Sequence, residues 1–537
     1  MKSKNKNTSV KKKETKPGSA AAAKSGPSKP GFTLKPLWIK LLLAALVYVF
    51  CTWVYGGVFM RAQQEAFVTA NAEQMKYVLD QPFGNIYWVG RFILSVYHYP
   101  LLGGLVLTLV LTGIACQVDC IFRTKPTWRG AAFVLPMLVL AALVACGTNL
   151  WYKGEPSRIM LWPIGMLLVL LCVTIPLRIY RRWRKVPAVS KEPVSLRRAY
   201  GLWIGLAGFV ALCFYGGYVH QTDRIIASQQ NRLWNQDWEG MIEDGLACRR
   251  PTRVVAAYYA IGCLRQGELL DRLFDLPFNY PLPDLKHFDG NEEYGLLQVD
   301  ADFEAGLVQP AYHYALEFSV MYGPTIRNIK RMAVCTLLMG QKEHCQKYLT
   351  ILSRVPFEGA FVEKYSAMLN NPKLIDEDEE LAGIKKLAPR ESHFEQNYRQ
   401  PIFLGYNIGL LEGSDETLET SIAACLYGKN LDALMPRLDI MRQRGQSLHP
   451  IAQQAIVCYA IKHPDVLKYF NVNPVMQSEL RSFMMEAKEY QKDKDLLREK
   501  LRPNWLGSYY YYYYCENNDS IATGKVNPYS SSNSGVN

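Results

Sequence analysis

Five apolar stretches, Leu37 to Met60, Phe92 to Val118, Gly130 to Trp151, Ile159 to Leu177 and Tyr200 to Val219, are separated by short connections that alternate between strongly basic and nearly neutral. Each stretch is long enough to cross about 30 Å of hydrocarbon as a helix rising about 1.5 Å per residue. The only charge inside them is Lys40, in a first turn, from which its stem can carry the ammonium back to the headgroups. The first stretch follows a long basic tail, exceeds a signal h-region and is not followed by an A-x-A cleavage pattern, so it is expected to be a retained anchor.

Basic residues stay on the cytoplasmic side, so counting them orients the chain. The tail 1–36 holds ten Lys against one Glu, loop 119–129 holds Arg123, Lys125 and Arg129, and loop 178–198 holds eight basic residues. Connections 61–91 and 152–158 hold five between them, balanced by Glu65, Glu73, Asp80 and Glu155. This places the amino end inside and, after five crossings, residues 220–537 outside the cytoplasm. Trp38, Trp53, Trp88, Trp151, Trp162 and Trp203 lie where interfacial belts would.

Residues 1–220 carry 27 basic and 7 acidic side chains, and the remainder carry 34 and 41. The basic excess is therefore a property of the membrane half, and it argues against a nucleic-acid partner, which would need Lys and Arg clustered on the folded half. The tail, with its Ala-, Gly-, Ser- and Pro-rich stretch from Pro17 to Gly31, lacks the apolar content to fold. It is expected to be a disordered cytoplasmic segment whose lipid contact, if any, is the anionic inner leaflet.

Beyond residue 220 the pattern is helix after helix. In Asn235 to Glu268, Trp238, Met241, Ile242, Gly245 and Leu246 mark one apolar face, Pro251 and Thr252 interrupt it, and Ala256, Tyr259, Ala260 and Cys263 mark a second. A second pair spans Thr325 to Arg354 around Gly340, and further pairs are expected at Thr417 to Arg444 and Pro450 to Leu501. Two helices in about 34 residues is the tetratricopeptide period. The expected fold is all-α: a five-helix transmembrane bundle over residues 37–219, a tetratricopeptide-like α-helical repeat domain over 220–507, and a Tyr-rich end with a disordered tail over 508–537.

Pro277 to Gln309, rich in Pro, Asp, Asn and Gly, reads as a long surface loop. Its acids Asp289, Glu292, Glu293, Asp300, Asp302 and Glu304 match no EF-hand spacing and are expected to form a solvated face, as is the run Asp376 to Glu380. The signatures of zinc hydrolases, serine hydrolases, nucleotide-binding P-loops and dinucleotide folds are missing. No catalytic, cofactor-binding or metal-binding residue is assigned. His98, read as lying within the second stretch two residues before Pro100, is a candidate proton relay, although an interfacial imidazole accounts for it more simply. Cys248, Cys263, Cys335, Cys345, Cys425, Cys458 and Cys515 are an odd set, and buried thiols are favoured over a Cys248 to Cys263 or Cys335 to Cys345 bridge. The six tyrosines Tyr509 to Tyr514 would put rings on every face of a helix. They are expected to cap the last hairpin, reaching the headgroup zone, rather than line a partner groove.

The stretch Leu233 to Pro277, with Trp238, Tyr258, Tyr259, Gly267 and the run Leu269, Leu270, Asp271, Arg272, Leu273 and Phe274, together with the aromatic ending at Tyr509, resembles a family of bacterial multi-pass membrane proteins of unknown function. The resemblance implies about five amino-terminal spans, a tetratricopeptide-like extracytoplasmic half and no catalytic residues to carry over. The expected role is a protein-interaction scaffold at the cell envelope. The alternative is a membrane-embedded glycosyl- or lipid-modifying enzyme drawing a carboxylate from Glu65, Glu73 or Asp80.

Overall fold

Hydropathy places the spans, and proline and glycine place their ends. The computed structural model describes residues 33–152, 154–187, 192–277, 292–388 and 414–516, the side chains of 253 and 292–296 excepted. Almost all of the regular structure within them is helix. Five helices are long and apolar enough to cross a membrane: Pro36–Val54, Pro100–Phe122, Pro126–Ala145, Arg158–Trp183 and Tyr200–Val219. The first ends earlier than the hydropathy suggested, because the chain breaks at Tyr55 and restarts as the helix Gly56–Gln64.

The second starts later than Phe92. Pro100 has no N–H to give to a preceding turn, so it opens a new helix and leaves Gly84–Leu94 and the turn Ser95–His98 as separate pieces outside the span. The expectation that His98 lies within a membrane segment is corrected accordingly. The fourth span runs on to Trp183, and Arg181 near its end donates to the carbonyls of Cys120 at 2.5 Å and Ile121 at 2.9 Å. A guanidinium thus satisfies the free carbonyls at the end of the second span, where the helix dipole favours a cation.

The connections sort onto two faces. On one face Lys40 pairs with Asp119 at 2.5 Å, Arg123 donates to the Pro187 carbonyl at 2.6 Å, and Thr33–Leu34 pairs antiparallel with Val194–Ser195. On the other face the connections 61–91 and 152–158 meet the carboxyl half. Within the bundle the third and fifth spans approach closely at Gly130 and Gly201: a Cβ added to Gly201 would lie 2.5 Å from the Trp128 carbonyl oxygen. Glycine is required there because, without a solvent-driven hydrophobic force in lipid, close backbone approach supplies the packing.

The carboxyl half has helical pairs at three of the four places the periodicity marked, and three α-helices where Pro450 to Leu501 was expected to hold a pair. Trp238–Leu246 and Arg253–Gln266 form the first, with Asp237 capping through the Gly240 N–H at 3.1 Å. Ile326–Leu338 and Lys342–Leu352 form the second, capped by Thr325 and stopped by Gly340 at φ +70°. Asp415–Tyr427 pairs with Leu431–Gln443, and Pro450–Ala460 leads into Pro474–Tyr490 and Lys494–Trp505.

Three buried clusters hold the molecule. The first runs without interruption from the spans (Leu43, Leu111, Leu140) into Ile225, Met241, Tyr258 and Leu297. The second buries Phe67, Val68, Met75 and Val78 of the connection 61–91 together with Val299, Phe303, Ile326 and Leu381. The third closes the far end around Ile422, Leu438, Phe483 and the helix Tyr509–Cys515, in which Tyr509, Tyr510, Tyr511 and Tyr512 are buried.

Two sequence expectations change here. Pro277 to Gln309 is not one surface loop: it contains the helix Glu292–Glu304 and the start of Val308–Tyr322. Asp300, Asp302 and Glu304 are 0%, 1% and 0% exposed, so they form no solvated face. Asp378, from the acidic run 376–380, caps the helix Glu379–Leu387 through the Leu381 N–H and pairs with Lys364 at 2.8 Å. The expected disorder and lipid contact of the tail, the setting of Asp289, and the segment after Glu516 lie outside the described residues.

Candidate functional site

Helical spacing puts Asp300 and Glu304 on one face of their helix, and Arg327 and Arg331 on one face of theirs. Where these faces meet, the helix Gly56–Gln64 delivers Arg61 and Glu65 from the first span, while Gln221–Trp234 delivers Gln230 from the fifth. The result is a buried ionic network at the seam between membrane bundle and carboxyl half. Arg327 pairs with Asp300 and, at 3.6 Å, with Glu65; Arg331 reaches Asp300 at 3.2 Å; Arg61 holds Glu65 at 2.5 Å and also donates to Gln230. The Tyr258 hydroxyl donates to Asp300 at 2.7 Å and accepts from Gln230 at 3.0 Å.

A charge this deep is tolerated only when paired, since isolated burial costs far more than any one contact returns. Burial lowers Arg327 from its usual value to about 10, with Arg61 and Arg331 acting in the same direction and Tyr258 and Glu65 opposing. It stays a cation at neutral pH. Asp302, by contrast, is held by burial well above the usual carboxylate range; only the Gln298 amide, at 2.6 Å, works the other way.

Glu304 lies 3.5 Å from Arg265 and 3.7 Å from Arg331, and neither of its oxygens takes a hydrogen bond. Burial pushes its carboxyl up to about 7, opposed by the two arginines and reinforced by Glu380. The folded chain therefore keeps a proton that the unfolded chain gives up near its ordinary 4.5. The stability tied to this group is fully present below that value and is lost as the pH rises through about 7. With Glu304→Gln, the gap between variant and wild-type unfolding midpoints should drift in the variant's favour between about pH 5 and 7.5, by at most a few kcal/mol. Parallel midpoint curves in detergent would contradict this reading.

Above the network opens a cleft of 310 Å³. The segment 65–91 lines it with Glu65, Tyr77, Tyr87 and Arg91, the segment 151–158 with Trp151, Tyr152, Glu155 and Arg158, and the carboxyl half with Phe318, Tyr322, Arg327 and Asn328. Arg91 grips Glu155 through two hydrogen bonds of 2.9 and 2.7 Å and donates to the Phe67 carbonyl and the Tyr77 hydroxyl. Burial alone would raise the Glu155 carboxyl, but the Arg91 fork and Ser157 outweigh it and leave it below the ordinary range. The Tyr152 and Tyr322 rings, 6.3 Å apart, join the second connection to the carboxyl half.

Of the three carboxylates considered from sequence, only Glu65 reaches this cleft, already shared by Arg61 and Arg327; Glu73 and Asp80 are exposed and do not line it. His98 does not line the cleft either: its ring is stacked on Phe357 at 5.4 Å and its Nδ1 lies 4.0 Å from Glu358. Burial lowers its pKa, with Glu358 opposing and Lys330 assisting. Among the described residues no three metal-ligating side chains cluster. The seven cysteines of the carboxyl half are free and buried, and burial pushes Cys263, Cys335 and Cys425 up to about 12, which leaves inert thiols.

Sequence reasoning missed the network because Asp300, Asp302 and Glu304 stand in a polar stretch that reads as solvated. The available signal was the i, i+4 spacing of Asp300 with Glu304 against that of Arg327 with Arg331. Comparison with curated proteins and with solved structures returns no match. The order of the elements, five spans followed by helical pairs closed by an aromatic end, agrees with a family model that matches residues 33–222 and 159–516, and the chain belongs to that family, the Family of unknown function (DUF6057).

Proposed function

We propose that the chain is a membrane-anchored helical-repeat scaffold of the bacterial cell envelope. Its spans sit in the cytoplasmic membrane with the amino end inside, and its tetratricopeptide-like half stands on the extracytoplasmic side, where it takes segments of partner proteins. The observation that carries this reading is that the two nearly neutral connections both pack against the carboxyl half, 61–91 through a shared buried core and 152–158 through Tyr152 against Tyr322, while the basic connections gather on the opposite face. Basic residues are retained in the cytoplasm, which puts the shared core outside.

Stacked helical pairs commonly bind peptides in the grooves between them. A groove of 440 Å³ between Arg253–Gln266, Glu379–Leu387 and Asp415–Tyr427 presents Glu379, Glu380, Glu416 and Glu419 against Arg265 and Lys386. That balance suits a basic segment. Reporter enzymes fused after Val219 and at the carboxyl end are expected to be active only outside the cytoplasm. A photo-crosslinker at Gln236, on the groove, is expected to capture proteins in intact cells, and capture should fall when Glu379, Glu380 and Glu416 are changed to Gln. Cytosolic reporter activity, or capture indifferent to the three substitutions, would remove the reading.

A further inference from the structure

The boundary cleft has two properties that the scaffold reading does not use. The first is spare hydrogen-bond donation. Arg158, in the first turn of the fourth span, has no ion-pair partner among the described residues. The Trp151 indole N–H and Arg327 Nε have no acceptor among the described residues, although these side chains are 4% and 5% exposed. Buried donors are normally satisfied, so donors left over at the wall of a cavity mark where an acceptor belongs. Arg91, Arg158 and Arg327 line the cleft against Glu65 and Glu155, each of which an arginine already holds, so its balance is positive.

The second property is the apolar flank of the mouth. Phe83, Ile86 and Val89 are 72%, 53% and 53% exposed, on the segment that also supplies the lining residue Tyr87. Val320 and Met321 are exposed between the lining residues Phe318 and Tyr322. Gly90, on the same helix as Ile86 and Val89, lies so close to Leu161 of the fourth span that an added Cβ would come within 2.7 Å of it. The flank therefore lies along the outer end of a span, at membrane-surface depth, where exposed apolar side chains meet acyl chains instead of water.

We propose that the cleft binds the phosphate-bearing anionic headgroup of a membrane lipid, with Arg158, Arg327 and Trp151 donating to its oxyanion and Phe83, Ile86 and Val89 against its acyl chains. Guanidinium forks suit phosphate oxygens, and an aromatic wall suits the glycerol or sugar beside them. A free phosphate offers the same oxyanion but leaves the apolar flank unused, which is why the lipid is favoured.

The test uses the purified full-length protein in non-ionic detergent and reads the shift in unfolding midpoint. Short-chain phosphatidylglycerol should raise the midpoint, while inorganic phosphate and the uncharged short-chain diacylglycerol at equal concentration should do far less. Arg158→Gln, which breaks no ion pair, should weaken the phosphatidylglycerol response about tenfold or more, and Arg158→Lys should weaken it less. Changing Phe83, Ile86 and Val89 together to Ser should weaken the lipid response and spare the small response to phosphate. An unchanged lipid response in Arg158→Gln, equal responses to the charged and uncharged lipids, or inorganic phosphate matching the lipid would each overturn the proposal. The reporter and crosslinking results bear on the scaffold reading alone, so the two can fail separately.

Discussion

Asp300→Asn should cost about 3–5 kcal/mol and deplete the folded full-length protein, because it removes the anion on which Arg327 and Arg331 converge. Both guanidiniums are buried, at 5% and 1% exposure, and neither can turn to water. Arg331 is further confined between Phe303, with its guanidinium carbon 3.8 Å from the ring centroid, and Trp234 at 4.7 Å. A loss of that size is a large part of the net stability of an ordinary domain. Thermal unfolding of the detergent-solubilised chain, followed by size-exclusion, measures it. The same pairing logic predicts that replacing both members, Asp300→Leu with Arg327→Met, is milder than Asp300→Asn alone, since one buried guanidinium instead of two is left without that anion. A midpoint for Asp300→Asn within a degree or two of wild type would show that the network does not hold the seam.

Tyr509→Ala should cost about 3–5 kcal/mol through the cavity it leaves in the terminal cluster. The ring is fully buried, 5.5 Å from Phe274, and its hydroxyl donates to the Leu426 carbonyl at 3.2 Å. Tyr510→Phe should cost only about 1 kcal/mol, because it deletes a 2.7 Å hydrogen bond to the Met476 carbonyl and keeps the ring. The same measurement separates the two, and equal effects would mean that the hydroxyls, not ring volume, carry the stability. The neighbouring hydroxyls repeat the arrangement: Tyr511 donates to the Arg498 carbonyl at 3.1 Å, and Tyr512 to that of Tyr427. The six-tyrosine run therefore closes the last helical layer against Phe274 and Phe483, as a cap.

Much of the architecture was readable from local pattern. A span is recognised by about twenty apolar residues, and a helical pair by apolar periodicity interrupted by a breaker such as Pro251 or Gly340; both signals are contained within a few turns. The errors were also local. Phe92 to Val96 continues the apolar run into the span it precedes, and the missing N–H of Pro100 divides them. Asp300, Asp302 and Glu304 carry the composition of a solvated loop, and composition does not say what a face is packed against.

The candidate site was far less legible. Glu65 was singled out as an acid of the connection 61–91, but nothing near it in the chain announces Arg327 as its partner. Arg61 meets Gln230 across 169 positions, and the cleft draws on three segments of which no two are adjacent in sequence.

Residue order alone settled the number of apolar helices, their approximate limits, the alternation of charge between their connections and the helical pairs beyond them. These follow from the free energy of placing each short segment in oil or water, to which distant residues add little. Which acids are buried, which arginines they meet, and whether the connections 61–91 and 152–158 stand free or pack against the carboxyl half were decided by the folded chain. Those outcomes depend on removing charges from water together, and the cost of doing so is met only when residues far apart in sequence arrive at the same place.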